Sequence, residues 1–111
     1  MKISVEEYAG AVEKLVPIAL QDTSGSRAAA QVLLSAYNGS EWQLDVTDLC
    51  VLDHEHYHAA LAVIRGRVEL LIEPHKLIHD GDSIFHRIWD LWEYLHVGNR
   101  AMHAGSAHCK Y

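Results

Sequence analysis

Cysteine is scarce in this sequence. The two cysteines, Cys50 and Cys109, stand far apart and fit no CxxC spacing. Cys50 lies between Leu49 and Val51, which predicts a buried structural thiol. Cys109 falls in a tail of low periodicity, where we expect an exposed thiol. Unpaired cysteines of this kind are typical of a reducing compartment.

Long apolar runs are also missing. No segment reaches the roughly 18 apolar residues that mark a membrane-spanning helix. The N-terminal stretch MKISVEEYAG lacks the apolar centre of a signal peptide. We therefore predict a cytoplasmic protein that makes no membrane contact.

Basic residues are outnumbered by acidic ones. The chain has 9 lysines and arginines against 15 aspartates and glutamates, which gives a formal net charge of −6 at pH 7. This charge disfavours the sequence-independent phosphate contacts that nucleic-acid binders need, so we expect no direct binding of nucleic acid. It is compatible with a protein partner that is itself basic. The nine histidines make the charge depend on pH, since they gain protons below about pH 6.5.

Apolar residues recur at helical spacing through most of the chain, which predicts an all-α fold. The 111 residues, half of them hydrophobic, fit one domain with a core of its own. We expect a compact bundle of four or five helices over residues 1–100 and a loose tail over residues 101–111. Residues 68–72, VELLI, fit either a helix or a short strand.

Several residues mark the ends of the predicted helices. Ser4 and Glu7 have the spacing of a capping box at the start of the first helix. Pro17 should kink that helix or end it early. Asp53 is a suitable N-cap for a helix that we run to about residue 65, where Gly66 should end or bend it.

Histidines cluster in the segment DHEHYHAA, residues 53–60. The alanine-rich continuation favours a helix. On a helix, His54 and His58 share one face because they are four residues apart, whereas His56 falls on the other rim. His75 and His79 repeat the spacing. Two such pairs facing each other would give four nitrogen ligands, a set suited to zinc.

A second interpretation of these histidines stays open. The pairs lack a cysteine partner and the glutamate of HExxH. They can be solvated side chains at the rims of a buried stripe centred on Tyr57. A pH-dependent contact surface is a third interpretation.

Three residues lie where the second helix should begin: Ser24, Ser26 and Arg27. Free backbone N–H groups at a helix N-terminus can hold an anion, so these residues form a candidate anion site. The alternative is that they cap the helix and that Arg27 pairs with a nearby acid.

Catalytic motifs are absent from the sequence. It has no nucleophile elbow, P-loop, dinucleotide fingerprint or HExxH. Asp45 with Asp48, or Asp80 with Asp82, could serve as acid–base pairs, but each lies beside a predicted helix start, where aspartate is expected anyway. We therefore predict a non-enzymatic protein without a cofactor, zinc being the cofactor of the metal alternative.

A predicted last helix over residues 83–97 has an unusually wide apolar face. Its core stripe consists of Ile84, Ile88, Leu91 and Leu95. Phe85, Trp89 and Trp92 widen the apolar arc to about 160°. Either the helix is unusually buried or its aromatic flank contacts a partner, since Trp is a favoured interface anchor. The candidate partner-binding residues are Phe85, Trp89, Asp90, Trp92 and Glu93, in a monomer or a homodimer.

Two segments resemble an uncharacterised bacterial family carried on plasmids and prophages. They are DTSGSRAAAQVLLSAYN, residues 22–38, and LDVTDLCVLD, residues 44–53. The family pattern is D-T-x-x-S-R-x-x-A-x-x-L-L, an aromatic residue and Asn, then D-L-T-D-L and a later Asp. Val46 replaces a leucine of that pattern. The matching positions are Asp22, Thr23, Ser26, Arg27, Ala30, Leu33, Leu34, Tyr37, Asn38, Asp45, Thr47, Asp48, Leu49 and Asp53.

The resemblance implies an origin on a mobile genetic element, and it implies no activity. Small acidic proteins of such elements often bind and block a host complex, as anti-CRISPR proteins do. A basic nucleic-acid-binding complex is a natural target for an acidic surface. Our leading hypothesis is therefore a non-enzymatic protein-interaction module that inhibits a host defence complex. The alternative is a His-dependent protein that binds a transition metal.

Overall fold

Four α-helices dominate the computed structural model, which describes residues 1–100. Three short 3₁₀ helices accompany them, and this part of the chain contains no strand. The predicted all-α single domain is confirmed. The predicted loose tail, residues 101–111, lies outside the described residues. The α-helices are α1 (Val5–Ala19), α2 (Ser24–Tyr37), α3 (His54–Leu70) and α4 (Gly81–Leu91), and the 3₁₀ helices are Val46–Val51, Pro74–Leu77 and Glu93–Leu95.

The first three α-helices begin at polar side chains. Ser4, Thr23 and Asp53 each accept a hydrogen bond from the backbone N–H three residues later, at 3.0, 3.0 and 2.9 Å. These bonds satisfy donors that a helix leaves free in its first turn. The predicted caps Ser4 and Asp53 are confirmed. At the other end, α1 stops at Ala19, shortly after Pro17, where proline removes a backbone donor.

α3 is longer than the sequence indicated. It continues through Gly66 to Leu70, so residues 68–72 form no strand and the glycine does not end the helix. A Cβ at Gly66 would lie 2.1 Å from Cγ of Tyr8 in α1. Glycine is therefore needed for the close approach of the two helices. The helix ends instead at Leu71, whose φ of 61° is left-handed.

The buried face of α3 also differs from the prediction. Small side chains dominate it, because α3 packs mainly against α1 and the two backbones approach closely. Tyr57 is 40% exposed, so a buried stripe centred on this residue is wrong. The buried residues of α3 are Ala59, Ala60, Val63 and Gly66.

α4 is shorter than predicted and ends at Leu91. The backbone N–H of Trp92 still bonds to α4, and the chain then tightens into the 3₁₀ helix Glu93–Leu95. This change turns Leu91 outward, where it is 52% exposed, and buries Leu95. The indole Nε1 of Trp92 donates to the carbonyl of Ala19 at 2.7 Å, which directs this side chain into the core. Leu91 is therefore not the core residue that helical spacing predicted.

The core lies where α1, α2 and α3 meet, and α4 covers one end of it. The largest fully buried side chains include Trp42, Tyr8 and Phe85. Within residues 1–100, none of the helices is both long enough and apolar enough to cross a lipid bilayer.

The buried hydroxyl of Tyr8 makes stability depend on pH in the alkaline range. It donates to the carbonyl of Ile72 at 2.7 Å, and burial raises the pKa of Tyr8 to about 12. The neutral phenol is thus favoured in the folded state, so its contribution is complete below about pH 10 and is lost as pH rises towards 12.

We expect the free energy of unfolding to fall more steeply above about pH 10 in the unmodified protein than in Tyr8→Phe, which has no hydroxyl to ionise. Urea denaturation at several pH values between about 9 and 11 measures this difference. Equal slopes for the two proteins would contradict the assignment.

Candidate partner-binding groove

A polar network holds the 3₁₀ helix Val46–Val51 against α2. Gln31 is buried, and its Nε2 donates to Oδ2 of Asp48 at 2.6 Å. Its Oε1 accepts from the backbone N–H of Asp45 at 2.7 Å. Arg27 Nε lies 3.5 Å from the same Asp48 oxygen. Because both ends of the buried amide are paired, its desolvation is offset and the 3₁₀ helix is held in one position.

The residues of the candidate anion site are engaged in this region. Thr23 caps α2, and its hydroxyl lies 2.8 Å from that of Ser26, which is fully buried. Arg27 faces Asp48. The alternative prediction for Arg27, pairing with a nearby acid, is therefore confirmed. Ser26 and Arg27 are thus occupied by contacts within the protein, and the cap is Thr23 and not Ser24.

Arg100 attaches the same segment from the other side. Its Nη1 donates to both carboxylate oxygens of Asp45, at 3.1 and 2.9 Å. Its Nη2 donates to the carbonyl of Gln43 at 3.0 Å, and its Nε donates to the carbonyl of Leu95 at 2.6 Å. Asp45 and Asp48 thus each face an arginine and act as structural ion-pair partners.

An open apolar groove of about 500 Å³ lies between this 3₁₀ helix and the start of α3. Val46 and Leu49 share a face because a 3₁₀ helix has three residues per turn. Leu49 reaches the core, whereas Val46 is 71% exposed. We call this surface the apolar groove, and its lining residues are Val46, Leu49, Cys50, Leu52, His54, Tyr57 and Leu61.

The thiol of Cys50 is exposed and lines the apolar groove. The prediction of a buried thiol is wrong, because the turn directs Leu49 inward and the next residue outward. Cys109 lies outside the described residues.

The first histidine pair has the predicted arrangement. The rings of His54 and His58 share one face of α3, with centroids 4.2 Å apart. His56 is turned away from them, and its Nδ1 lies 2.8 Å from Oδ1 of Asp53. The separation of His56 from the other two is thus confirmed.

The second histidine pair does not form. His75 lies in the 3₁₀ helix Pro74–Leu77, which ends before His79, so the two histidines are not one turn apart on a helix. His75 packs its ring against Tyr37, at 4.9 Å between centroids, whereas the side chain of His79 is 96% exposed. Within residues 1–100, no three His, Cys, Asp or Glu side chains cluster as a metal site would require. The predicted four-histidine zinc site is therefore wrong.

Residues 9–93 match a family of unknown function, DUF7673. The chain belongs to this family. The match includes α2, the 3₁₀ helix Val46–Val51 and α3, and so contains the whole apolar groove. It agrees with the resemblance to an uncharacterised family. No curated protein and no solved structure matches the chain.

The aromatic residues of α4 in this DUF7673 protein, and Trp92 directly after it, are mostly internal. Phe85 is fully buried and Trp92 is 3% exposed, so neither side chain has surface to offer a partner. The wide apolar arc had two explanations, unusual burial or contact with a partner. Phe85 and Trp92 agree with unusual burial. Asp90 and Glu93 are exposed.

Trp89 is half-buried in an aromatic cluster. Its ring centroid lies 5.0 Å from that of Trp42 and 5.6 Å from that of His96. The sequence did not indicate the role of His96, whose Nε2 lies 2.9 Å from Oε1 of Glu41. Hydrogen bonds with His96 and then Asn38 lower the pKa of the Glu41 carboxyl. The predicted aromatic patch is thus reduced to the edge of Trp89.

Proposed function

We propose that this DUF7673 protein is a non-enzymatic interaction module that binds a protein partner through the apolar groove. The exposure of Val46 beside this groove is the observation that carries the proposal. Val46 and Tyr57 stand at an open apolar surface, and covering them would remove apolar area from water at about 25 cal/mol per Å².

The apolar groove suits a partner better than the neighbouring depression between α1 and α3. That depression contains Lys14 and Glu55, whose charged atoms are 2.7 Å apart. An apolar ligand there would displace water from an ion pair, which is costly. The apolar groove holds no Lys, Arg, Asp or Glu side chain among its lining residues.

The partner that fits this surface is a basic segment with one or two apolar anchors. The whole chain carries a formal charge of −6, and Asp53 is an exposed carboxylate at the start of α3. Hydrogen bonds from the backbone N–H and the ring of His56 lower the pKa of Asp53, so this charge persists at neutral pH. Lys and Arg flanking an apolar anchor would complement it.

We further propose that the protein comes from a mobile genetic element and inhibits a host defence complex, as anti-CRISPR proteins do. The net charge of −6 and the resemblance of residues 22–53 to a plasmid and prophage family support this proposal. The natural target is a basic surface that otherwise binds nucleic acid.

Affinity purification from a native host tests the groove with a matched pair of variants. Val46→Asp places a charge in the apolar groove, whereas Val68→Asp makes the same change on α3 outside the residues that line it. The two valines are 71% and 68% exposed, so both variants should fold. We expect Val46→Asp to reduce recovery of a basic partner about tenfold or more, and Val68→Asp to have little effect.

The partner should also be released by salt and should lose its nucleic-acid binding when the unmodified protein is added. Equal recovery with both variants would reject the groove. A partner that is acidic, or that binds nucleic acid unchanged in the complex, would reject the inhibitor proposal.

A further inference from the structure

The His54–His58 pair is the strongest unassigned feature outside the aromatic cluster. Both imidazoles lie on the exposed side of α3, one turn apart, with ring centroids 4.2 Å apart. Neither ring has a hydrogen-bond partner among the side chains of the described residues. The two rings are therefore free to turn one nitrogen each towards a common metal ion. Metal–imidazole bonds are about 2.0–2.1 Å long.

Charges around the pair favour a cation. Asp53 directly precedes the pair in sequence, and Glu7 of α1 lines the same depression as both histidines. The one basic side chain in that depression, Lys14, is neutralised by Glu55 at 2.7 Å. The N-terminal end of a helix disfavours a cation, and the carboxylates of Asp53 and Glu7 oppose that effect.

The ligand count selects the kind of metal ion. In the described residues the pair gains no third His, Cys, Asp or Glu ligand, so a closed tetrahedral zinc site does not form. Cu²⁺ and Ni²⁺ accept imidazole nitrogens in square-planar or tetragonal geometry, with water completing the shell, and in the Irving–Williams order they lie at and just below the maximum.

We propose that His54 and His58 form a two-nitrogen site that chelates one Ni²⁺ or Cu²⁺ ion on the surface of α3. The site stands independently of the proposed partner. His54 also lines the apolar groove, so the bound ion lies at the border between the groove and the depression beside α1.

Titration of the untagged, isotope-labelled protein with NiCl₂ alone tests the site. Ni²⁺ bound by two imidazoles and completed by water is six-coordinate and paramagnetic, and it does not oxidise Cys50. We expect the ring signals of His54 and His58 to broaden first in the NMR spectrum. Calorimetry should show that His54→Ala and His58→Ala each weaken binding about tenfold or more, because each leaves a single nitrogen ligand.

His79→Ala is the matched control, because its side chain is 96% exposed and belongs to no helical pair. It should leave the affinity within about twofold. Alanine favours the helix at both sites of the pair, so circular dichroism should show unchanged folding. Simultaneous broadening of His79 and His86 with the pair would overturn the proposal. So would retained affinity in either His54→Ala or His58→Ala.

Discussion

Gly66→Ala is expected to lower the free energy of unfolding by about 3 kcal/mol. The new Cβ would lie 2.1 Å from Cγ of Tyr8 and 2.4 Å from each Cδ of that ring. The ring is fully buried and its hydroxyl is bonded to Ile72, so it cannot move aside without separating α1 from α3. Alanine gains about 1 kcal/mol in helix propensity, which is too little to offset this overlap.

Gly10→Ala is the matched control for this prediction. Gly10 lies in α1, and a Cβ there would meet no atom within 4 Å. It should therefore stabilise the protein by about 0.5–1 kcal/mol. Urea denaturation of both variants measures the contrast. Similar stability changes in the two variants would show that Gly66 is not needed for the helix contact.

Trp92→Ala is expected to lower the free energy of unfolding by about 3–5 kcal/mol, at least as much as Gly66→Ala. The side chain is 3% exposed, and its Nε1–Ala19 bond joins the end of α4 to the end of α1. Trp92→Phe should cost less, about 1–3 kcal/mol, because the ring volume is mostly kept while the carbonyl loses its donor.

Leu91→Ala provides the comparison for Trp92→Ala. Its side chain is 52% exposed although it immediately precedes the tryptophan, so we expect a loss of at most about 0.5 kcal/mol. Thermal and urea denaturation distinguish the two. A Trp92→Ala protein of normal stability that failed to bind a partner would restore the original view of this residue as an interface anchor.

The features predicted correctly are local ones. Ser4 and Asp53 cap helices through bonds that span three residues, and such spacings can be read directly from a sequence. The pairing of His54 with His58 depends on one helical turn in the same way.

Two of the errors involve partners that are distant in sequence. Gly66 looked like a signal for the end of the helix. The sequence does not show that the ring of Tyr8, which belongs to another helix, leaves no room for a side chain at this position. At the end of α4, Trp92 donates to the carbonyl of Ala19. These residues are 73 positions apart, so helical periodicity does not predict the bond.

The candidate groove could be predicted only in part. Asp45 and Asp48 looked like helix caps, whereas their partners are Arg100 and Arg27. A glutamine at position 31, within the apolar run AAAQVLL, was a usable signal, since a polar residue on a buried face requires partners of its own.

The two walls of the apolar groove are held in place by different interactions. The α3 wall is a regular helix whose small side chains are buried against α1, and this apolar packing contains no charge for salt to screen. The opposite wall is a short 3₁₀ segment held between Arg27 and Arg100 by ion pairs that are partly open to water. Salt weakens such pairs. Raising the ionic strength therefore weakens contacts on one side of the groove only, and on that side the buried Gln31 amide and Leu49 still hold the 3₁₀ segment against α2 and the core.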